Sequence, residues 1–265
     1  MAVGLSPYST GGENYIEKVT GSFDGKQFGD LHEDNDDIFA LIVLKNAGYA
    51  QDDKMLLSDV NFILSAQRED GSWDGSVDMT GAAIEALSPF NEDEQVKNAL
   101  SKAKEFLKKN QKDTGGWENA SSTAWALEGI LGLGEKIEDW KNNENIAQNY
   151  LGAVQDTDGG IKGEDINSRI WQTAYVLSAL SGKTWNQLMQ KYEKVEATGD
   201  VLGAQTEIKV NIPTPAKKAF TKTKPAELAK IAPSTATAIT PVENTAPQPE
   251  PKKENWFIRF LKFIF

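Results

Sequence analysis

Three carboxylates stand within four residues at Asp34-Asn35-Asp36-Asp37, and Asp78 lies at the matching start of the next repeat. Carboxylates crowded together cannot all ionise in their usual range, so one of them can keep its proton and act as a general acid. An acid of that kind needs a neighbour that steadies the positive charge it creates. Phe39, Trp125 and Tyr175 are the candidates, because they occupy equivalent positions in three helices and aromatic faces attract cations. A competing reading is structural. Acids before an apolar run are an ordinary helix start, accepting from free N–H groups and matching the positive end of the helix dipole.

Other chemistries are excluded by composition. The chain of 265 residues has no cysteine and a single histidine, His32. Disulfides, Cys-based zinc sites, a catalytic thiol, an internal thioester and any two-histidine mechanism are therefore out. Asp156-Thr157-Asp158-Gly159 looks like the opening of a calcium loop, but the third ligand and the closing glutamate do not follow in frame. No metal and no cofactor is expected. Residues before Asp200 carry a net charge of −15, and the remainder carries +4. An acidic body argues against a nucleic-acid partner.

The elements that hold these residues repeat. Gln67-Arg68-Glu69-Asp70-Gly71-Ser72-Trp73, Gln111-Lys112-Asp113-Thr114-Gly115-Gly116-Trp117 and Gln155-Asp156-Thr157-Asp158-Gly159-Gly160-Ile161 are one phrase said three times, with the glutamines 44 residues apart. After each phrase comes an apolar helix whose stripe aligns as Thr80, Ala83, Ile84, Leu87, then Thr123, Ala126, Leu127, Ile130, then Thr173, Val176, Leu177, Leu180. Asp37, Ala40, Leu41 and Leu44 fit the same frame, so Asp37 pairs with Thr80 and Asn35 with Asp78. Before the second phrase runs an amphipathic helix with Val96, Ala99, Leu100, Ala103, Phe106 and Leu107 on one face. Each unit is thus expected to be a helical hairpin, and little strand pattern precedes residue 200. Gly71, Gly115 and Gly159 should end a helix at positive φ, the tryptophans should cover the hairpin end, and the glutamine amides should bind exposed backbone at a neighbouring helix terminus. Ile161 stands where the aromatic is due, which predicts a weaker third clasp.

Gln-x-x-Asp-Gly-Ser-Trp at 67–73 resembles the QW repeat of squalene and hopene cyclases, and Asp78-Met79-Thr80-Gly81-Ala82-Ala83 resembles the helix start that follows it there. The likeness covers about residues 13–183 and extends to bacterial proteins with prenyltransferase and squalene oxidase repeats, which are typically exported. It implies an all-α fold, an α/α toroid with inner helices around a cavity and outer helices around those. The same likeness gives Asp34, Asp36 and Asp37 their sharpest meaning. Asp-x-Asp-Asp is the proton-donor motif of class II terpene cyclases, where it protonates an alkene or epoxide. A protein prenyltransferase, by contrast, needs a cysteine zinc ligand that this chain lacks. A full toroid has about six hairpins, and about four are legible here, so the domain is expected to be incomplete and shortened at its N-terminus.

From residue 200 the pattern changes. A toroid domain over 1–199 is followed by a Pro/Thr/Ala/Lys-rich linker over 200–254 and an apolar amphipathic end over 255–265. Eleven residues cannot span a bilayer as a helix, but Trp256, Phe257, Phe260, Leu261 and Ile264 could lie in a membrane interface beside Arg259 and Lys262. No export signal is legible at Met1–Pro7. The expectation is a membrane-associated, cell-surface module that binds a small molecule or a protein without catalysis. A terpene-cyclase-like enzyme is the alternative.

Overall fold

The structure is a computed structural model that describes residues 1 and 4–195; the linker at 200–254 and the apolar end at 255–265 lie outside the described residues. Among the described residues nine α-helices follow in order: α1 (Tyr15–Gly21), α2 (Asp34–Asn46), α3 (Lys54–Ala66), α4 (Val77–Leu87), α5 (Glu94–Asn110), α6 (Ala120–Gly132), α7 (Ala147–Val154), α8 (Ile166–Leu180) and α9 (Trp185–Leu188). The described residues form no strand, only isolated bridges within turns. None of their helices is long and apolar enough to cross a membrane.

The fold is an all-α, incomplete toroid. Helices α2, α4, α6 and α8 pack side by side as the inner layer, with α3 against α2, α5 against α4, and α7 against α6. The inner helices approach closely because small residues face each other. A Cβ on Gly81 would run into the Trp125 carbonyl of α6, and one on Gly129 would meet the Gly81 Cα at 3.1 Å. The apolar stripes are buried throughout α4, α5 and α6. In α8 the frame departs from expectation. Val176 is buried, but Leu177 is 66% exposed and Leu180 is also exposed, because no described element packs beyond α8 on that side.

The repeated phrase makes the same bonds in its first two copies. Trp73 and Trp117 are buried, and their indole N–H groups donate to the carbonyls of Ile63 (2.7 Å) and Leu107 (2.9 Å) at the ends of the preceding helices. Their backbone N–H groups donate to the hydroxyls of Thr80 (3.2 Å) and Thr123 (3.0 Å), tying turn to inner helix. The amide of Gln67 donates to Gly71 O and to Ala99 O of α5, and that of Gln111 to Gly115 O and Trp140 O. Each amide therefore closes its own turn and reaches the next unit. In the third copy Ile161 N still donates to Thr173 Oγ1 (2.9 Å), but the exposed Gln155 reaches only Gly159 O. Gly115 sits at φ +85°, and a Cβ there would collide with the Ile146 carbonyl, so both conformation and space require glycine.

One boundary differs from the sequence reading. The acids at 34–37 do not precede α2; they are its first turn, and the N-cap is Glu33 without a side-chain capping bond. Before α1 the described residues include a 3₁₀ turn at Thr10–Gly12.

Candidate functional site

Asp37 occupies the place that threonine holds in the later repeats. Its Oδ1 accepts from Phe28 N at 2.6 Å, as Thr80, Thr123 and Thr173 accept from Trp73, Trp117 and Ile161. Gln27-Phe28-Gly29 is thus a worn fourth copy of the turn, with Phe28 fully buried in the tryptophan's role. Its glutamine and glycine are too close together for the phrase to be found by spacing.

A hydroxyl brings its own proton to a buried position, whereas a carboxylate does not. Asp37 is 0% exposed and hydrogen-bonds to Asp59 of α3, which is also 0% exposed. Desolvation lifts Asp37 to about 6, against the lowering effect of Asp59 and the Phe28 N–H. Burial and then Asp37 hold Asp59 well above the carboxylate range. No donor from another residue reaches Asp37 Oδ2 or either oxygen of Asp59; a proton between the two carboxyls satisfies one oxygen of each and leaves the second Asp59 oxygen without a donor.

The other acids disperse. Asp36 accepts from Asp30 N at 3.0 Å, within the loop before α2. Asp34 lines a niche of about 90 Å³ with His32, Glu33, Asn35, Asp74 and Met79, and burial followed by Asp74 and Glu33 raises it. Asp78 lies nearer the centre. Burial raises it, a hydrogen bond from Ser122 of α6 lowers it, and its charge helps to raise the Tyr175 hydroxyl.

Phe39, Trp125 and Tyr175 are brought to one centre. Phe39 and Trp125 meet edge-on with centroids 5.8 Å apart, and Trp125 and Tyr175 are 5.7 Å apart. The space among them is not open. Trp185 of α9 touches all three, at 6.1 Å from Phe39, 4.8 Å from Trp125 and 6.4 Å from Tyr175. Asp37 is two residues before Phe39 on α2, about 200° around the helix, so it points away from this centre toward α3. An open groove of about 660 Å³ does exist, but between outer helices α3 and α5, lined by residues such as Leu57, Val60, Phe90 and Val96.

Beside the rings lies a polar floor that sequence reasoning missed. Glu85 of α4 and Glu128 of α6 are 0% and 2% exposed. Glu85 Oε1 accepts from Asn186 N at 2.7 Å, and Glu128 Oε1 accepts from Ser178 Oγ of α8 at 2.9 Å. Asn46 of α2 donates to Asn186 Oδ1 at 2.7 Å. Desolvation, then the neighbouring Glu128, pushes Glu85 up to about 8; desolvation pushes Glu128 up to about 7. The signal was present. Glu85, Glu128 and Ser178 all stand five residues after the frame threonine, and two glutamates at one position of an apolar helix are unusual.

Residues 30–125 match the family model of the squalene-hopene cyclase C-terminal domain. A squalene–hopene cyclase of Zymomonas mobilis is 31% identical over 141 residues. Match, turn chemistry and helix order agree. The chain carries a squalene-cyclase-like repeat domain. The alignment covers 44% of this chain and 21% of that cyclase, so the matched stretch spans about a fifth of the relative's length. Among the described residues of the domain, no three His, Cys, Asp or Glu side chains are placed to hold a metal ion.

Proposed function

We propose that the squalene-cyclase-like domain is a non-catalytic binding module. The observation that carries this reading is Trp185, which fills the aromatic centre from within the same chain. The Asp-x-Asp-Asp carboxylates support it. Asp37 and Asp36 are engaged with Phe28 N, Asp59 and Asp30 N, and Asp37 is turned to an outer helix rather than to the aromatic centre. A cyclase needs its acid to point at bound substrate, within hydrogen-bond reach of the atom that takes the proton. The membrane-interface role of Trp256, Phe257, Phe260, Leu261 and Ile264 belongs to the same proposal. It rests on their apolar spacing and the adjacent Arg259 and Lys262.

The class II terpene cyclase reading keeps one observation in its favour: Asp78 is a desolvated acid beside Tyr175. Incubation of the purified protein with squalene and shorter polyprenyl substrates, followed by mass spectrometry, separates the two. No cyclised product is expected. Cyclised product that disappears in Asp78→Asn or Asp37→Asn would overturn the binding-module reading.

A further inference from the structure

The residues around Trp185 define what kind of molecule could take its place. Three helices turn buried acceptors toward the same region: Asn46 of α2, Glu85 of α4 and Glu128 of α6. One oxygen of each, Asn46 Oδ1, Glu85 Oε2 and Glu128 Oε2, has no donor. Among the described residues neither glutamate forms an ion pair with a lysine or arginine. Buried acceptors without donors are costly, and the cost falls when a donor-rich group arrives. Phe39, Trp125 and Tyr175 add three ring systems, which attract a cation as well as a flat apolar body.

The native occupant already has this form. It is an indole followed by a donor: Trp185 in the rings, then Asn186 N–H on Glu85. The occupant is held by hydrogen bonds, one ion pair and the Lys194 ammonium over the Tyr49 ring at 4.5 Å. Asn186 Nδ2 donates to Glu85 O, Asn46 donates to Asn186, Tyr192 N donates to Asn46 O, and Lys194 pairs with Asp53 at 3.1 Å. Helix α9 has four residues, and Gln187 and Leu188 are exposed.

We infer that the centre of the inner layer is a binding site for a small amine or ammonium on a flat apolar body, which enters by displacing the segment 184–195. The site takes the ring system between Phe39, Trp125 and Tyr175 and the nitrogen against Glu85 and Glu128. It rejects carboxylates and phosphates, whose negative charge would be set against two buried glutamates and the Asn46 amide oxygen. This inference rests on the binding-module reading above.

The test uses the full chain and three probes that share a ring: tryptamine, indole and indoleacetate. In Trp185→Gly, calorimetry should show tryptamine bound about tenfold more tightly than indole, as expected for a hydrogen bond to a charged group, with indoleacetate weakest. Glu85→Gln with Glu128→Gln in that background should remove the preference and leave indole affinity within about twofold. In the unsubstituted chain, tryptamine should speed hydrogen exchange in residues 184–195, a readout that does not depend on the glycine variant folding. Equal affinities for tryptamine and indole in folded Trp185→Gly would overturn the inference. So would unchanged exchange in 184–195 at saturating tryptamine. Polyprenyl turnover is read separately, so failure of the binding-module reading is distinguishable from failure here.

Discussion

Replacing Trp117 with alanine is expected to lower the stability of the domain by about 4 kcal/mol. The indole is 1% exposed, and its N–H donates to Leu107 O, a helix-end carbonyl that would be left without this partner. Its ring also lies 6.4 Å from Trp140, whose carbonyl receives the Gln111 amide, so the loss reaches the next unit. Trp73→Ala should cost about as much, for the same two reasons of burial and the Ile63 bond. Ile161→Ala should cost about 2 kcal/mol, since that clasp lacks both the indole bond and the inter-unit glutamine bond. Against a total stability of roughly 5–15 kcal/mol, either tryptophan change removes between about a quarter and most of it. Urea unfolding followed by circular dichroism checks the series, and equal midpoints for all three variants would contradict it.

The second large effect is on pH dependence. Glu85 and Glu128 keep their protons up to about 8 and about 7 in the folded chain, against 4.5 for an unhindered glutamate. Between those values the folded state binds more protons than the unfolded state, so stability falls as pH rises. The contribution is fully present below pH 4.5 and is lost as pH climbs through 7 and 8. Both groups are buried and they repel each other, so together they should remove on the order of 5 kcal/mol between pH 4.5 and pH 9. Glu85→Gln keeps an acceptor for Asn186 N and carries no charge. It should be near neutral at pH 4.5 and stabilising by roughly 2 kcal/mol at pH 9. Combined with Glu128→Gln it should flatten most of the slope, and Asp37 and Asp59 should supply what remains with the same sign. Urea midpoints from pH 4.5 to 9 give the answer. Parallel profiles for the unsubstituted chain and the double variant would show that these glutamates do not carry the effect.

What could be read in the sequence was what repeats. The 44-residue period located the turns, and the stripes through α4, α5 and α6 named core residues because α4 and α6 have inner helices on both sides and α5 lays its one apolar face on α4. Periodicity tells which face of a helix is apolar but not whether anything covers it, which is why Leu177 and Leu180 were assigned inward. Trp185 lies outside the period and comes back to the centre through α9, so no frame could place it against Phe39. Asp34, Asp36 and Asp37 form a motif by spacing alone; their directions depend on where the first helical turn begins, and that turn begins at Asp34. Glu85 and Glu128 share one register position, but each stands alone in its own apolar helix, so spacing within a helix marks neither as part of a motif.

The Asp37–Asp59 pair has an evolutionary consequence. In the other turns the hydroxyl of Thr80, Thr123 or Thr173 serves alone, but in the first turn the proton is held jointly by side chains on α2 and α3. Neither can mutate freely. Asp59 to an apolar residue leaves Asp37 alone in a buried site, and Asp37 to threonine leaves a buried acid at Asp59 without its partner, so each single step is costly while the double step is mild. The two positions are therefore coupled in stability, and Asp37 needs no catalytic role to be kept.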